Sequence, residues 1–399
     1  MLHSKIIINY ITQQIFKWRW IMVTKQFWYA KSLKWSIIGG GNGGQAMAGH
    51  LAIMGFSVKI YDIFLDTIEE IKKQGGIKVE GVVQGFGKLE LATTNITEAL
   101  NGADIIAIVT PALAHKEIAK NCAPYLKDDQ IVFLHPGSTF GAFEFKKVLL
   151  EEGCEANPVI ADAETLLYAC RCKEKGHVNI LGIKNRLKVA ALPSNETERV
   201  VKMLNTALPQ IYPASNVMEI SLENVKPMVH PAPTLLNTSM IESKHDWLYY
   251  WDGITPSIGH FVEEMDKERL NVAKALGLKV ESIFEVYKRQ YDVEALTLTD
   301  VVRKTKAYAG VKGQKNLNTR YITEDIPMGL VPLVSLGRML GVNVERMATI
   351  IELGEYLLDK DFTTTGRTVE NVGLSGMTSE EIINYVQTGK RENIALSEV

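Results

Sequence analysis

The sequence predicts an α/β protein with a doubly wound N-terminal domain followed by an all-α C-terminal domain. Short apolar runs alternate with amphipathic segments up to about Pro193, and strand signals fade beyond that residue. The length of 399 residues fits two domains of about 100–200 residues each. We therefore expect a first domain over 35–195 and a helical domain over 196–399, after an N-terminal extension over 1–34.

Residues 1–34 differ in composition from the rest of the chain. They contain scattered cations and several aromatic residues but no acidic residue. Their apolar runs are too short to span a bilayer, and they lack the continuous apolar stretch of a signal peptide. We interpret them as an over-long N-terminus of doubtful order, with Met22 as a candidate natural start. An ordered helix packed on the first domain is the alternative.

The alternation of strands and helices begins at Lys34. A buried strand ("KWSIIGG") precedes a helix ("GGQAMAGHLAIMG"), a second strand ("SVKIYD") and a second helix ("TIEEIKKQGG"). The β-rich stretch over 77–94 predicts a hairpin. The run "ADIIAIVTP" is almost continuously apolar, as a parallel strand buried on both faces is. Further strands ("QIVFLHPG", "PVIADAETL" and "HVNILGIKNRLKVAALP") complete a parallel sheet up to Pro193.

Amphipathic helices follow one another after Pro193. Helical spacing is clear over 194–208, 256–277, 279–293, 330–341 and 344–358. The last predicted helix begins with a capping box from Thr378 to Glu381. No internal repeat or low-complexity linker separates the two halves of the sequence.

Five glycines occupy six positions between the first strand and the first helix. Gly39, Gly41 and Gly44 form a G-x-G-x-x-G motif in the required strand–turn–helix context. The first glycine permits a tight turn, the second lets the backbone approach a pyrophosphate, and the third lets helix and strand pack closely. The helix N-terminus favours an anion. We predict a Rossmann dinucleotide site that includes Asn42 and Gly43; a glycine-rich turn without a ligand is the alternative.

Asp62 ends the second strand, 18 residues after Gly44. A carboxylate at this position can accept both ribose hydroxyls of NAD and would repel a 2′-phosphate. NAD is therefore the expected cofactor, and NADP is the alternative. Thr110 and Pro111 end a later strand at the carboxyl edge of the sheet, so we expect them to line the cofactor site.

Composition excludes several classes of function. A formal net charge of -2 gives no reason to expect nucleic acid or an anionic membrane as a partner. The four cysteines show no metal-type spacing with histidine, so we predict no metal site. Reduced thiols are typical of a cytoplasmic enzyme.

A hydride-transfer enzyme needs a proton partner with a pKa near neutrality, and histidine is the usual choice. Two of the eight histidines have a distinctive setting. His135 ends a strand beside Pro136 and Gly137, close to the expected cofactor. His230 lies at the entry to the helical domain. Position alone does not choose between them.

Six segments together resemble the octopine/nopaline (opine) dehydrogenase family: "GGGNGGQAMAGHLA", "TPALAH", "PGSTFGA", "AETLLYACR", "VHPAPTLLN" and "RYITEDIPMGLVP". Their order and spacing cover both domains from about Trp35 onward. The resemblance implies a Rossmann domain followed by a helical domain. It also implies an enzyme that joins an α-keto acid, such as pyruvate, to the amino group of an amino acid, using NADH or NADPH.

The resemblance assigns the site residues. The acid/base histidine of the family is followed by proline, which implies His230. Its orienting aspartate follows an arginine by five residues, which implies Asp325 and Arg320. The family's Glu-Thr step near the substrate implies Glu164 and Thr165. The chemistry is coherent, because a carboxylate fixes a histidine tautomer and a guanidinium grips a carboxylate with two parallel hydrogen bonds.

Two other functions share parts of this pattern. A simple keto acid reductase of the ketopantoate-reductase kind would use a lysine, for which Lys226 is the candidate. A non-catalytic NAD-binding sensor would need no His–Asp–Arg set. For the leading interpretation we expect small-molecule keto acid and amino acid substrates and a possible homodimer.

Overall fold

A computed structural model describes residues 32–391 of the chain. The interpretation of the N-terminal extension therefore falls almost entirely outside the described residues. Within them the chain forms two compact units, each assembled from segments that are distant in sequence. The first unit takes in 32–107, 168–185 and 202–211; the second takes in 108–167, 186–201 and 212–391.

The strands follow the predicted order along the chain. They are β1 (Lys34–Ile38), β2 (Ser57–Tyr61), β3 (Gly76–Gly81), β4 (Gly85–Lys88), β5 (Leu91–Thr93), β6 (Ile105–Ile108), β7 (Ile131–Leu134), β8 (Val159–Ala163), β9 (Tyr168–Glu174), β10 (His177–Ile183), β11 (Leu187–Leu192) and β12 (Ile211–Pro213).

The helices continue to the end of the described chain. They are α1 (Asn42–Ile53), α2 (Leu65–Gln74), α3 (Ile96–Leu100), α4 (His115–Cys122), α5 (Gly141–Glu151), α6 (Thr197–Leu204), α7 (Val217–Leu222), α8 (Lys226–Val229), α9 (Pro231–Leu236), α10 (Thr238–Glu242), α11 (Pro256–Ala275), α12 (Ile283–Tyr291), α13 (Leu298–Lys304), α14 (Arg320–Thr323), α15 (Val331–Met339), α16 (Glu345–Leu358), α17 (Phe362–Thr365) and α18 (Ser379–Thr388).

The first unit contains two sheets. Strands β6, β1, β2 and β5 lie in that order, and β1/β2 and β2/β5 pair in parallel. The second sheet has the order β4-β3-β10-β9. Its β3 and β4 pair antiparallel with Gly76 opposite Lys88, so the predicted hairpin is confirmed. Every residue of β6 is buried, as the continuous apolar run predicts.

The second unit begins with the order β7-β8-β11-β12. Strands β7 and β8 are parallel, but β11 runs antiparallel to β8, with Val189 opposite Ala163. The prediction of a parallel sheet as far as Pro193 is therefore wrong at β11. The chain between β8 and β11 forms the antiparallel pair β9 and β10, not the crossover helix that a parallel return needs.

The rest of the second unit is helical. The 20-residue helix α11 begins with Pro256 in its first turn, where the missing N–H costs nothing. Helix α18 has the predicted capping box: the Thr378 hydroxyl accepts from Glu381 N–H, and the Glu381 carboxylate accepts from Thr378 N–H. Strand β12 lies beyond Pro193, where the sequence pattern predicts only helices.

Candidate active site

The glycine turn between β1 and α1 has the geometry of a phosphate-binding turn. Gly39 has φ of 117°, a conformation that strongly favours glycine. A Cβ on Gly44 would lie 1.7 Å from the Gly39 carbonyl oxygen, so the close approach of helix and strand requires glycine there. A Cβ on Gly41 would meet no atom of residues 32–391 within 4 Å. Packing therefore does not explain Gly41, whereas the approach of a pyrophosphate does.

The N-terminus of α1 is free of side-chain capping. Gly41 is the N-cap residue and supplies no side-chain acceptor. The Asn42 side chain points to β9, where its Oδ1 accepts a 2.7 Å hydrogen bond from Cys172 N–H. The first N–H groups of this 12-residue helix, including those of Gly43 and Gly44, therefore keep their capacity to bind an anion.

Asp62 follows β2 and is tied to the same turn. One carboxylate oxygen accepts from Gly40 N–H, and the other accepts from Phe64 N–H at 3.0 Å. A Cβ on Gly40 would lie 3.0 Å from the Asp62 carboxylate, so this contact leaves little room for a side chain there. The turn and the carboxylate that would hold the ribose form one hydrogen-bonded unit, which fits a dinucleotide.

Thr110 and Pro111 follow β6, as predicted. The Thr110 hydroxyl oxygen is buried, and among the described residues it has no hydrogen-bond partner. A buried hydroxyl without a partner is costly, so this group suits a contact with a polar ligand. Pro111 is exposed and precedes a 3-10 turn that begins at Ala112.

His230 and Asp325 form a close pair in the second unit. Nδ1 of His230 lies 2.7 Å from Oδ2 of Asp325, and the two side chains are only 14% and 13% exposed. His230 stands between the short helices α8 and α9, where Pro231 opens the second helix. Asp325 precedes a single π-helical turn over Ile326–Leu330, a feature common at functional sites. Nδ1 of His230 can donate to this carboxylate in the tautomer that carries the proton on Nδ1, and Nε2 then has no proton.

Tyr321 covers one face of the His230 ring. The two rings are parallel within 1°, with centroids 3.8 Å apart. Tyr249 packs edge-on against Tyr321, and its hydroxyl lies 2.7 Å from the His230 carbonyl oxygen. Asp325 thus restrains the rotation of the imidazole through a hydrogen bond, and Tyr321 covers one face of the ring.

Arg320 opens α14 and is largely exposed, with 71% of its side chain accessible. Its Nε donates to a carboxylate oxygen of Glu324, which also helps to raise the pKa of the guanidinium. Arg320 lies five residues before Asp325, so the predicted substrate arginine and the carboxylate of the pair stand on adjacent turns of one segment.

Glu164 and Thr165 directly follow β8. The Glu164 side chain is 6% exposed, and its two oxygens accept hydrogen bonds from Arg289 at 3.3 and 3.0 Å. Glu164 also accepts from Lys188 N–H at 3.3 Å. The Glu164 carboxylate is therefore already paired with the Arg289 guanidinium. Binding of an ammonium group by Glu164 stays a prediction, as does the role of Thr165.

His135 differs from His230 in its hydrogen bonding, because its ring accepts from a backbone N–H. The residue is 1% exposed, and its Nε2 accepts a 2.9 Å hydrogen bond from Leu167 N–H. Its ring packs edge-on against Phe133 at 5.0 Å. His135 therefore supports the segment that follows Thr165, and this contact accounts for its position beside the expected cofactor.

A buried arginine organises the loops after β6 and β7. Arg367 is completely buried and donates to the carbonyl oxygens of Gly137, Thr139 and Ala112 at 2.7, 2.9 and 3.2 Å. Its Nε donates to Glu144 at 2.9 Å. Burial raises the pKa of nearby Asp162, which accepts from Gly137 N–H, to about 7.

Comparisons with known proteins establish the family. The α-helical domain of NAD/NADP octopine/nopaline dehydrogenase matches residues 213–358, and the N-terminus of NAD-dependent glycerol-3-phosphate dehydrogenase matches 34–152. An opine dehydrogenase of Arthrobacter sp. (strain 1C) is 40% identical over 358 residues, covering 90% of this chain and 99% of the relative. The chain belongs to the octopine/nopaline dehydrogenase family.

Solved structures share the fold of the enzyme. Octopine dehydrogenase in complex with NADH and agmatine matches with a TM-score of 0.77, and its complex with NADH and pyruvate with 0.75. Both are 23% identical and cover 90% of this chain and 98% of that chain. The predicted Rossmann domain and all-α C-terminal domain are confirmed, and the enzyme is an NAD-dependent oxidoreductase.

Several residues of the site were missed by sequence reasoning. Gly40 falls at a variable position of the glycine motif, and Tyr321 and Glu324 lie inside "RYITED" without an assigned role. Arg367 lies near the end of the chain, where no motif marks it.

Over residues 32–391 no helix has the length and apolar character to cross a bilayer, and no cluster of side chains there suits a metal ion.

Proposed function

We propose that the enzyme acts on the CH–NH group by reductive condensation of an α-keto acid, such as pyruvate, with an amino acid. The balanced reaction joins keto acid, amino acid, NADH and a proton to give an N-(carboxyalkyl) amino acid, NAD⁺ and water. The observation that carries this proposal is the 2.7 Å pair of His230 and Asp325, with Arg320 five residues before Asp325 in the chain.

Four residues of the second unit have a defined task in this proposal. Arg320 binds the keto acid carboxylate through its two terminal nitrogens. His230 donates a proton to the carbinolamine oxygen as water leaves, which forms the imine carbon–nitrogen double bond. Asp325 stabilises the imidazolium before that transfer. Glu164, with Thr165 beside it, contributes negative charge for the amino group of the second substrate.

The first unit supplies the cofactor contacts of the glycine turn and of Asp62. The turn over Gly39–Gly44 holds the pyrophosphate with N–H groups, and the Asp62 carboxylate holds the adenosine ribose. Thr110 and Pro111 line the cofactor. When bound, NADH supplies the hydride that reduces the imine carbon. Asp62 favours NAD over NADP, since a 2′-phosphate would meet a carboxylate.

The discriminating experiment compares NADH oxidation with keto acid alone and with keto acid plus a panel of amino acids. Amine-dependent oxidation, with an N-(carboxyalkyl) amino acid identified by mass, supports the proposal. Equal rates without amine and a hydroxy acid product would instead indicate a keto acid reductase, with Lys226 as its candidate lysine. The absence of turnover with every pair would favour the NAD-binding sensor.

The role of His230 has its own test. His230→Ala should lower kcat by about two to four powers of ten, the usual contribution of a positioned proton donor. The affinity for NADH should stay unchanged, because no cofactor contact is removed. His260→Ala is the matched control, since 72% of that side chain is exposed. Near-normal turnover of the His230 variant would contradict the assignment.

We also propose that the enzyme functions in the cytoplasm as a homodimer, with functional domains over 35–195 and 196–399. All four cysteines are free thiols, which supports a reducing compartment. Fractionation of the source cells tests the location. Light scattering of the purified chain tests the dimer, and a monomer mass across working concentrations would reject it.

A further inference from the structure

We infer that Glu324 is the positioning residue that aims Arg320 at the keto acid carboxylate. Glu324 directly precedes Asp325 and follows α14, so it stands between the two assigned residues of this segment. This inference rests on the proposed function, because it assigns Glu324 a task within the same reaction.

The Glu324 carboxylate bridges two partners. One oxygen accepts from Arg320 Nε, and the other accepts a buried 2.9 Å hydrogen bond from Ala112 N–H. The Ala112 carbonyl oxygen accepts in turn from Arg367 Nη2 at 3.2 Å. The backbone around Ala112, next to Pro111 in the expected cofactor wall, is therefore held at both its N–H and its C=O.

Burial distinguishes this pair from an ordinary surface ion pair. The Glu324 side chain is 9% exposed, whereas that of Arg320 is 71% exposed. A nearly buried carboxylate is costly unless its oxygens are bonded, and both are bonded here. The buried, doubly bonded partner is therefore the glutamate, and the solvent-facing partner is the arginine that it holds.

The geometry of a guanidinium explains why this contact assists binding. The group offers donors along its Nε side and along the edge formed by its two terminal nitrogens. Glu324 occupies Nε, so the terminal edge of Arg320 remains available for two parallel hydrogen bonds to a substrate carboxylate. Without Glu324, the exposed side chain would have to be ordered by the substrate itself, and that ordering weakens binding.

A simple helix ion pair does not account for the arrangement. Arg320 and Glu324 have i,i+4 spacing, and such exposed pairs stabilise helices only weakly. Helix α14 has only four residues, so helix stability is not the main effect. The bond to Ala112, 212 positions away in sequence, connects the pair to the loop after β6.

The test is a double-mutant cycle of Glu324→Gln and Arg320→Lys, measured by steady-state kinetics with NADH, pyruvate and the best amine. Glu324→Gln should raise the KM for pyruvate about tenfold, as expected for one charge-assisted hydrogen bond. The KM values for NADH and amine should stay within about twofold. In the Arg320→Lys background the second substitution should add little, because Glu324 acts through Arg320.

Two controls separate positioning from a structural role. Glu196→Gln removes a glutamate from an exposed Arg–Glu pair with Arg199 and should change no kinetic constant. Methyl pyruvate lacks the carboxylate, so its turnover should be insensitive to Glu324→Gln. If Glu324→Gln does not fold, Glu324→Asp retains the charge but withdraws it by one methylene, and the same rise in the pyruvate KM is expected.

The outcomes are distinguishable. An unchanged pyruvate KM in the Glu324 variant overturns the inference, and so do equal rises in all three KM values with a lowered Tm. Fully additive effects in the cycle also overturn it. A wild-type enzyme without amine-dependent NADH oxidation would contradict the proposed function instead, and that result is obtained before any variant is made.

Discussion

Replacement of Asp325 by asparagine removes the charge of this side chain but keeps its shape. It therefore tests the electrostatic contribution of Asp325 to its pair with His230. The substitution removes the negative charge that lies 2.7 Å from Nδ1 of His230. An asparagine amide can also donate to Nδ1, which would hold the imidazole in the other neutral tautomer. Both effects oppose the protonated histidine that must be present when the carbinolamine loses water.

The size of the effect follows from the geometry. Two unit charges about 4 Å apart attract each other by about 4 kcal/mol at an effective dielectric constant of about 20. The His230 and Asp325 side chains are 14% and 13% exposed, so solvent screens them less than a surface pair. A loss of about 3–4 kcal/mol in the transition state corresponds to a fall in kcat of about 10²–10³.

The assay is initial-rate NADH oxidation at saturating keto acid and amine, with NADH affinity measured separately by fluorescence titration. We expect kcat to fall by the stated factor and NADH affinity to remain within about twofold, because no cofactor contact is altered. Asp129→Asn, at an exposed residue, is the matched control. A kcat for Asp325→Asn within about threefold of the wild type would refute the electrostatic role.

Three further predictions follow from the geometry. Asp62 should make kcat/KM for NADH exceed that for NADPH by about tenfold or more, because the carboxylate repels a 2′-phosphate; steady-state kinetics showing a preference for NADPH would contradict this. Arg320→Lys should raise the keto acid KM about tenfold without changing that for NADH, because an ammonium cannot make two parallel hydrogen bonds; an unchanged KM would place the carboxylate elsewhere. Burial raises the pKa of Asp162 to about 7, so the native state holds a proton that the unfolded chain releases from about pH 4 upward, and stability falls as pH rises through this window. The Tm of Asp162→Asn minus the Tm of the wild type should therefore increase as the pH rises from about 5 to about 8. A Tm difference that stays constant over this range would show that the protonation of Asp162 is not coupled to folding.

The local features of the fold were predictable because local sequence determines them. Continuous apolar runs mark buried strands, as in β6, and the Thr378 hydroxyl with Glu381 marks a helix start. Strand β9 was not predicted, because its sequence "YACRCKE" has no continuous apolar run and ends in charged residues, although its burial alternates as in a half-buried strand. The direction of β11 depends on how the chain returns to the sheet, which spacing does not encode.

The site was predictable only in part. The glycine turn and Asp62 form a local pattern with a known physical purpose, so residues alone pointed to a dinucleotide. The choice of His230 over His135 needed the family resemblance, and the hydrogen bond from Leu167 N–H to His135 now gives an independent reason. Glu324 could not be found from sequence, because its partner at Ala112 is distant along the chain.

The position of Arg367 has a consequence for how the enzyme is made. The guanidinium holds the backbone of the loops at Ala112, Gly137 and Thr139, yet it is synthesised more than 200 residues after them. On the ribosome these loops remain without this donor until Arg367 itself has emerged. A nascent or prematurely terminated chain that stops before Arg367 can form the glycine turn but cannot complete the loops after β6 and β7. The loops after β6 and β7 therefore gain these hydrogen bonds only in chains that have been translated past Arg367.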